Sequence, residues 1–399
     1  MSKNTKFPGI PIISQVLKFI DRGIINRTAL KHKSDRYYKS FKTYDHLITM
    51  IYAVISNLTS LREVSSIMLA CEGKINHLGL KKFPRRSTLS DANKKRSSKV
   101  FAEIYYELHR KYRKFLSDGK SWKLPIKDLN IVDSSVISLF SEILKGSGRK
   151  PLDGKKKGGI KMHTMISALE DVPSLVRFTS ASTHDHEFLK DLGLKPGSYV
   201  VFDKGYNDYY QYLQWSMEGI FFVTRQKDNA DYTSIAESAI PDTMDEGVLK
   251  DEIIVIEKDG KQIKLRRIAY WVEEQNKVYE FITNNFELDA DIIALIYKYR
   301  WQIELLFKRL KQNFPLKYFL GDSVNAIEIQ IWVSLIVQLI MLVIQRQVAR
   351  KWAFSNMIAV IRHHFMSYID LFKFLKNPEA GWDALNNLPK DQLKLFDTG

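Results

Sequence analysis

The chain has 399 residues, 45% hydrophobic and 27% charged, ordinary values for a soluble globular protein with room for a large core and two or three domains. Its 61 basic residues outnumber 45 acidic ones, for a net charge of +16, which points to a polyanionic partner, nucleic acid ahead of an anionic membrane surface. Cys71 is the one cysteine. That excludes an intrachain disulfide and a cysteine-zinc site, and fits a reducing cytosol.

In chain order, helix-period apolar residues predict helices over Ile12–Ile20, Tyr44–Asn57, Leu61–Cys71 and Lys99–Phe115. Basic segments, Lys31–Lys42 and Lys81–Arg86, lie between them. Thr88 and Asp91 form a possible capping box. This all-helical stretch, residues 1–122, reads as a DNA-binding domain, although no recognition helix stands out. Met1–Lys6 has no apolar signal core behind it.

Strand signals begin near residue 128. Leu129–Leu139, Ile160–Leu169 and Ser174–Ala181 predict three strands, and His184–Leu192 a short helix with solvated side chains. Tyr199–Asp203 is an apolar strand ending in a carboxylate. A helix to Met217 and a strand over Gly219–Arg225 follow. This order, closed by a long helix near residue 300, is that of a ribonuclease H-like mixed sheet. Residues 228–285 interrupt it with alternating segments and an Asp259–Gly260 hairpin signal, so they predict a β-rich insertion. The expected fold is therefore α/β, with a catalytic core over 123–320 and a helical C-terminal region over 321–399. The apolar run Ile331–Ile344 is too short to span a bilayer and reads as a buried core helix. Asp391–Gly399 is expected to fray.

Chemistry concentrates around residue 300. At helical spacing Tyr297, Arg300, Glu304, Lys308 and Lys311 share one face, while Ile296, Ile303, Phe307 and Leu310 gather on the adjoining core face. Trp301 lies off the polar stripe and is expected to pack. One carboxylate among cations and a phenol is an odd face to build for stability alone, although Glu304 and Lys308 could simply pair at i,i+4. Asp133 sits inside an apolar strand, where a carboxylate is costly unless hydrogen-bonded or bound to a metal ion. Asp203 closes another strand at its C-terminal end, where sites on α/β sheets form. Three such carboxylates suit magnesium and two-ion phosphoryl transfer. Arg300, Lys308 and Lys311 would grip phosphates beside them.

These residues carry a resemblance. Tyr297, Arg300, Glu304 and Lys311 reproduce, at its usual spacing, the Tyr-Arg-Glu-Lys signature of the DDE transposases of the insertion-sequence four family. Asp133 and Asp203 match that family's two catalytic aspartates. Thr283–Phe286 before the helix, and Phe319, Gly321, Ser323 and Asn325 after it, are also similar. The resemblance implies a ribonuclease H-like fold, and Asp133, Asp203 and Glu304 holding two Mg2+ ions, with Mn2+ as a substitute. Water would attack a phosphodiester to free a 3′-hydroxyl at the element's end, and in relatives that hydroxyl attacks the opposite strand to form a hairpin. Tyr297, Arg300 and Lys311 would contact DNA near the cleaved end and help hold a displaced base. The implied partners are double-stranded DNA, as terminal inverted repeats and target, and a second copy in a homodimer. The implied setting is the bacterial cytoplasm, DNA-associated and away from membranes. The same carboxylates would also serve a nuclease that does not join DNA, and a decayed copy would only bind it.

Overall fold

The computed structural model describes residues 9–71, 73–118, 122–139, 158–241 and 244–380. The segments Met1–Lys6 and Asp391–Gly399 lie outside them. Six helices come first: α1 (Ile12–Leu17), α2 (Arg22–Lys31), α3 (Thr43–Ile55), α4 (Leu61–Ala70), α5 (Arg86–Lys95) and α6 (Ser98–Asp118). Strands β1 (Leu129–Leu139), β2 (Gly158–Ser167), β3 (Pro173–Ser180) and β4 (Tyr199–Phe202) follow, then α7 (Tyr209–Glu218) and β5 (Phe221–Arg225). The predicted helix between β3 and β4 is a 3-10 stretch, Asp185–Asp191. The predicted insertion comprises β6 (Thr233–Glu237), β7 (Val248–Lys258), β8 (Lys261–Val272) and β9 (Lys277–Thr283). Helices α8 (Ala290–Tyr299), α9 (Trp301–Asn313), α10 (Val324–Gln347), α11 (Phe354–His363) and α12 (Leu371–Lys376) complete the chain.

The described residues form two compact units. Those within Met1–Phe115 and Arg309–Gly399 make one, and Leu116–Lys308 makes the other. The helices beyond residue 320, expected as a region of their own, thus group with the N-terminal ones.

The helical unit is built on α10, which packs against α3, α5 and α11. By length and composition α10 could cross a membrane, but 94% of its most apolar window is buried inside the protein. It is a core helix, longer than the apolar run that announced it. The residues flanking it explain a motif. Ser323 caps α10 by accepting from the Ala326 N–H at 3.2 Å. The Asn325 side chain donates to the Asn93 and Arg96 carbonyls at 2.8 Å each and accepts from the Ser98 N–H at 2.9 Å, which joins α5 to α6. A Cβ on Gly321 would meet that of Ala326 at 2.6 Å. The buried amide of Gln330 accepts from Leu320 N–H and donates to the Pro315 and Tyr318 carbonyls. It thereby satisfies backbone groups that would otherwise be buried unpaired.

The second unit is one nine-stranded sheet in the order β3-β2-β1-β4-β5-β9-β8-β7-β6. Strands β1, β4 and β5 are parallel, and every other pairing is antiparallel. The insertion continues the same sheet, because β9 pairs with β5. Asp259 and Gly260 both take positive φ, 49° and 72°, as a tight hairpin between β7 and β8 requires. Asn284 and Asn285 secure the exit from the insertion. Asn284 accepts from Phe222 N–H at 3.0 Å and donates to the Ile220 carbonyl at 2.8 Å. Asn285 accepts from the N–H groups of Glu287 and Leu288 and donates to the Tyr199 hydroxyl. These bonds fix the approach to α8.

Candidate active site

Strand register brings the two aspartates together. Val132 pairs with Phe202 across parallel strands β1 and β4. Asp133 and Asp203 each follow that pair, at the edge where β4 ends and β1 runs on beside β2 alone. This opening at the carboxyl end of parallel strands is where ligands bind in sheets of this kind.

Helices α8 and α9 supply the opposing face. Their expected continuity is interrupted at Arg300, where the bonds Arg300 N–H to Tyr297 O and Ile303 N–H to Arg300 O tighten the chain into a 3-10-like joint. The core face is as expected, with Ile296, Ile303, Phe307 and Leu310 buried. Tyr297 and Arg300 are buried too. The Arg300 guanidinium lies 2.7 Å from Glu304 and 3.7 Å from Asp133, bridging the two carboxylates. Glu304 therefore pairs one turn back along the helix, not with Lys308. Lys308 and Lys311 are exposed and carry no ion pair among the described residues.

Asp203 is held by groups that the sequence did not announce as well as by one it did. Its Oδ1 accepts from the Arg225 guanidinium at 3.0 Å and from the Tyr297 hydroxyl at 3.2 Å. Arg225 ends β5 as Asp203 ends the β4 run, and a cation closing an apolar strand was the available signal. Burial alone would raise the Asp203 pKa, but Arg225 and Arg300 hold it below the ordinary value. Asp133 behaves oppositely. Burial pushes its pKa up to about 6, with Asp203 and Glu304 pushing the same way against the Ser134 N–H and Arg300. Burial also raises the Tyr297 phenol to about 12, against the pull of Arg300 and Arg225.

A further carboxylate anchors the strand beneath. The Ser134 N–H donates to Asp133 Oδ1 at 2.7 Å, and the Ser134 hydroxyl donates to Asp185 Oδ1, also at 2.7 Å. That oxygen lies 3.2 Å from Lys161 Nζ and 3.6 Å from His163 Nδ1. The His184–Glu187 segment was expected to be a solvated helix start. Asp185 is instead tied to β1 and β2, because the alternation of β2 turns Lys161 and His163 toward it.

The chemistry of this donor set suits a hard divalent cation. Asp133 in particular is half-buried, and that burial outweighs the Ser134 N–H and Arg300 in setting its pKa. Among the described residues, however, no three of the acidic, histidine or cysteine side chains are close enough to hold one ion. The Arg300 guanidinium supplies the positive charge where Asp133 and Glu304 face each other. Among the described residues, the buried Nε groups of Arg300 and Arg225 have no hydrogen-bond partner.

Beside this cluster opens a cleft of about 1270 Å3, lined among others by Arg225, Trp271, Tyr279, Tyr297, Arg300 and Trp301. Trp301 is 50% exposed, so it is not the packing residue that its place off the stripe suggested. The apolar face of α9 is narrow and leaves it outside.

Residues 124–340 match the family model of the transposase DDE domain. The chain belongs to the DDE transposase family. The transposase is 30% identical over 262 residues to a protein of Sinorhizobium fredii provisionally designated transposase y4zB, covering 63% of this chain and 69% of that one. It is 26% identical over 258 residues to a Synechocystis protein provisionally designated the transposase of insertion sequence element IS4SA, covering 64% and 70%. These relatives place the transposase in the insertion-sequence four type. Residues 8–81 match a second family model, that of a domain of unknown function. The fold also aligns with a cryo-EM structure of a piggyBac transposase synaptic complex with hairpin DNA, over 96% of this chain and 86% of that one, at a TM-score of 0.42 and 11% identity. As a DDE transposase, the protein acts on DNA by metal-dependent cleavage and strand transfer.

Proposed function

We propose that Asp133, Asp203 and Glu304 are the catalytic carboxylates, and that they hold two Mg2+ ions, with Mn2+ able to substitute. The observation that carries this reading is the pairing of Val132 with Phe202, which sets Asp133 beside Asp203, with Arg300 linking Asp133 to Glu304. The bound ions would stabilise the attacking and leaving oxygens of phosphoryl transfer. The protein's own groups do the rest. Arg225 and Tyr297 orient the Asp203 carboxylate. Ser134 orients that of Asp133 through its N–H, and Asp185 fixes Ser134 in turn. Arg300, Lys308 and Lys311 take phosphates near the cleaved end. Tyr297 and Arg300 help hold a displaced base beside the cleft.

On this reading the sheet unit is a ribonuclease H-like catalytic core within residues 123–320. Residues 1–122 bind DNA, and 321–399 form a helical C-terminal region. The substrates are the terminal inverted repeats of the protein's own element and a target duplex, engaged by a homodimer in the bacterial cytoplasm. The test is an assay with purified protein, Mg2+ and a duplex ending in the repeats that flank its gene. Wild type is expected to nick at the repeat end and give joined products, and Glu304→Gln to give neither. Nicking without joined products would mark a nuclease instead. A Glu304→Gln protein that cleaves like wild type would remove Glu304 from the site.

A further inference from the structure

We propose that the segment Lys33–Lys39 is a contact for double-stranded DNA, with Tyr37 as its apolar centre and Lys33, Arg36 and Lys39 as its phosphate ligands. The segment lies inside residues 8–81, whose family model carries no function. Tyr37 is 88% exposed. It also adopts φ +69°, and Lys33 adopts φ +50°. The Tyr38 N–H donates to the Asp35 carbonyl at 3.2 Å, so Tyr37 is the third residue of a four-residue turn. A positive φ there normally falls to Gly or Asn, and for a bulky side chain it is a strained conformation. A ring that buries so little apolar surface gains the fold nothing in return.

The strain is imposed from beneath. Asp35 accepts from the Thr43 N–H and hydroxyl at 2.6 and 2.8 Å. Arg96 donates to the Ser34 and Phe41 carbonyls and stacks on the Tyr38 ring at 4.2 Å. Asp35 is the one acid between Leu30 and Lys42, and it is turned inward. Lys33, Arg36 and Lys39 are all exposed and carry no ion pair among the described residues. The Arg36 guanidinium lies over the Tyr37 ring at 4.9 Å. A rigid turn that presents an aromatic ring among unneutralised cations complements a deoxyribose face bordered by phosphates. Strain held in place by its surroundings is a mark of such sites.

The test uses the full-length protein and fluorescence anisotropy on two duplexes of equal length, one carrying the element's end and one scrambled. The triple variant Lys33→Ala, Arg36→Ala, Lys39→Ala is expected to lose about tenfold or more in affinity, and to flatten the slope of log affinity against log salt by about 2 to 3. Tyr37→Gly is expected to lose about tenfold with its melting temperature unchanged or raised, because glycine relieves the positive φ. Losses on both duplexes mark a backbone contact, and a loss confined to the element's end marks a contact that serves terminus recognition. Either supports the proposal. Affinities within twofold of wild type for both variants on both duplexes would overturn it. So would a marked fall in the Tyr37→Gly melting temperature, which would make the ring a packing element. The proposal rests on the reading that residues 1–122 bind DNA, and its failure leaves the catalytic reading standing, because that reading is tested separately by cleavage and joining at the sheet unit.

Discussion

Asp133 carries a charge that its surroundings oppose. Its folded pKa, about 6, lies above the ordinary 3.8. The folded state therefore holds a proton that the unfolded chain gives up between those values. Below pH 4 the group costs nothing, and above pH 6 it costs the full amount, on the order of 2 to 3 kcal/mol, since each tenfold change in proton affinity is worth about 1.4 kcal/mol. Asp133→Asn is thus expected to be more stable than wild type by about 1 to 3 kcal/mol at pH 8, and no more stable at pH 4, while losing cleavage. Urea denaturation at the two pH values measures this. Equal stability at both would show that the carboxylate is better solvated than its position implies. On the proposed reading, the stability lost to this charge is the cost of keeping a carboxylate ready for a cation.

At the scale of elements, the joint between α8 and α9 is the part most open to test. Arg300 occupies it and neutralises Asp133 and Glu304 from the protein side. On the proposed reading, cations and the guanidinium would compete for the same carboxylates. Arg300→Ala is expected to lower the melting temperature of the metal-free protein at pH 8, and to enlarge the rise that Mg2+ produces relative to wild type, since a ligand that binds the folded state more tightly stabilises it more. Thermal unfolding against Mg2+ concentration reads both. A smaller rise than in wild type would mean that Arg300 assists ion binding.

The sequence disclosed much of this region, because its signals are local. Asp133 and Asp203 interrupt or end apolar runs, and the stripe from Tyr297 to Lys311 obeys one helical period. What it hid depends on distant partners. Asp185 gains its meaning from Ser134, Lys161 and His163, and Arg225 from Asp203 and Tyr297. Strand β6 is exposed along its whole length and so lacks the alternation that reveals a half-buried strand. The exposure of Trp301 follows from how narrow the buried face of α9 is, which a helical wheel does not show.

At the scale of the whole molecule, the helical unit is assembled from both ends of the chain. Helix α10 packs on α3 and α5, and Asn325 bonds to the carbonyls of Asn93 and Arg96. A fragment of residues 1–118 therefore lacks much of its core. It is expected to show helical circular dichroism with non-cooperative melting and rapid proteolysis, whereas adding residues 309–399 in trans should restore a cooperative transition. A cooperative, protease-resistant fragment on its own would show that the N-terminal helices form an independent domain.

This discontinuity bears on synthesis. Ribosomes deliver the N-terminal helices first and α10 some two hundred residues later, which at about 5 to 20 residues per second is a wait of tens of seconds. During that interval the turn bearing Tyr37 rests on Arg96, whose helix end still lacks its bond to Asn325. A messenger cut short, or a gene broken within the sheet-coding region, thus yields a polypeptide unable to finish its own N-terminal unit. Prematurely ended copies would then be poor competitors for the DNA that the complete protein occupies.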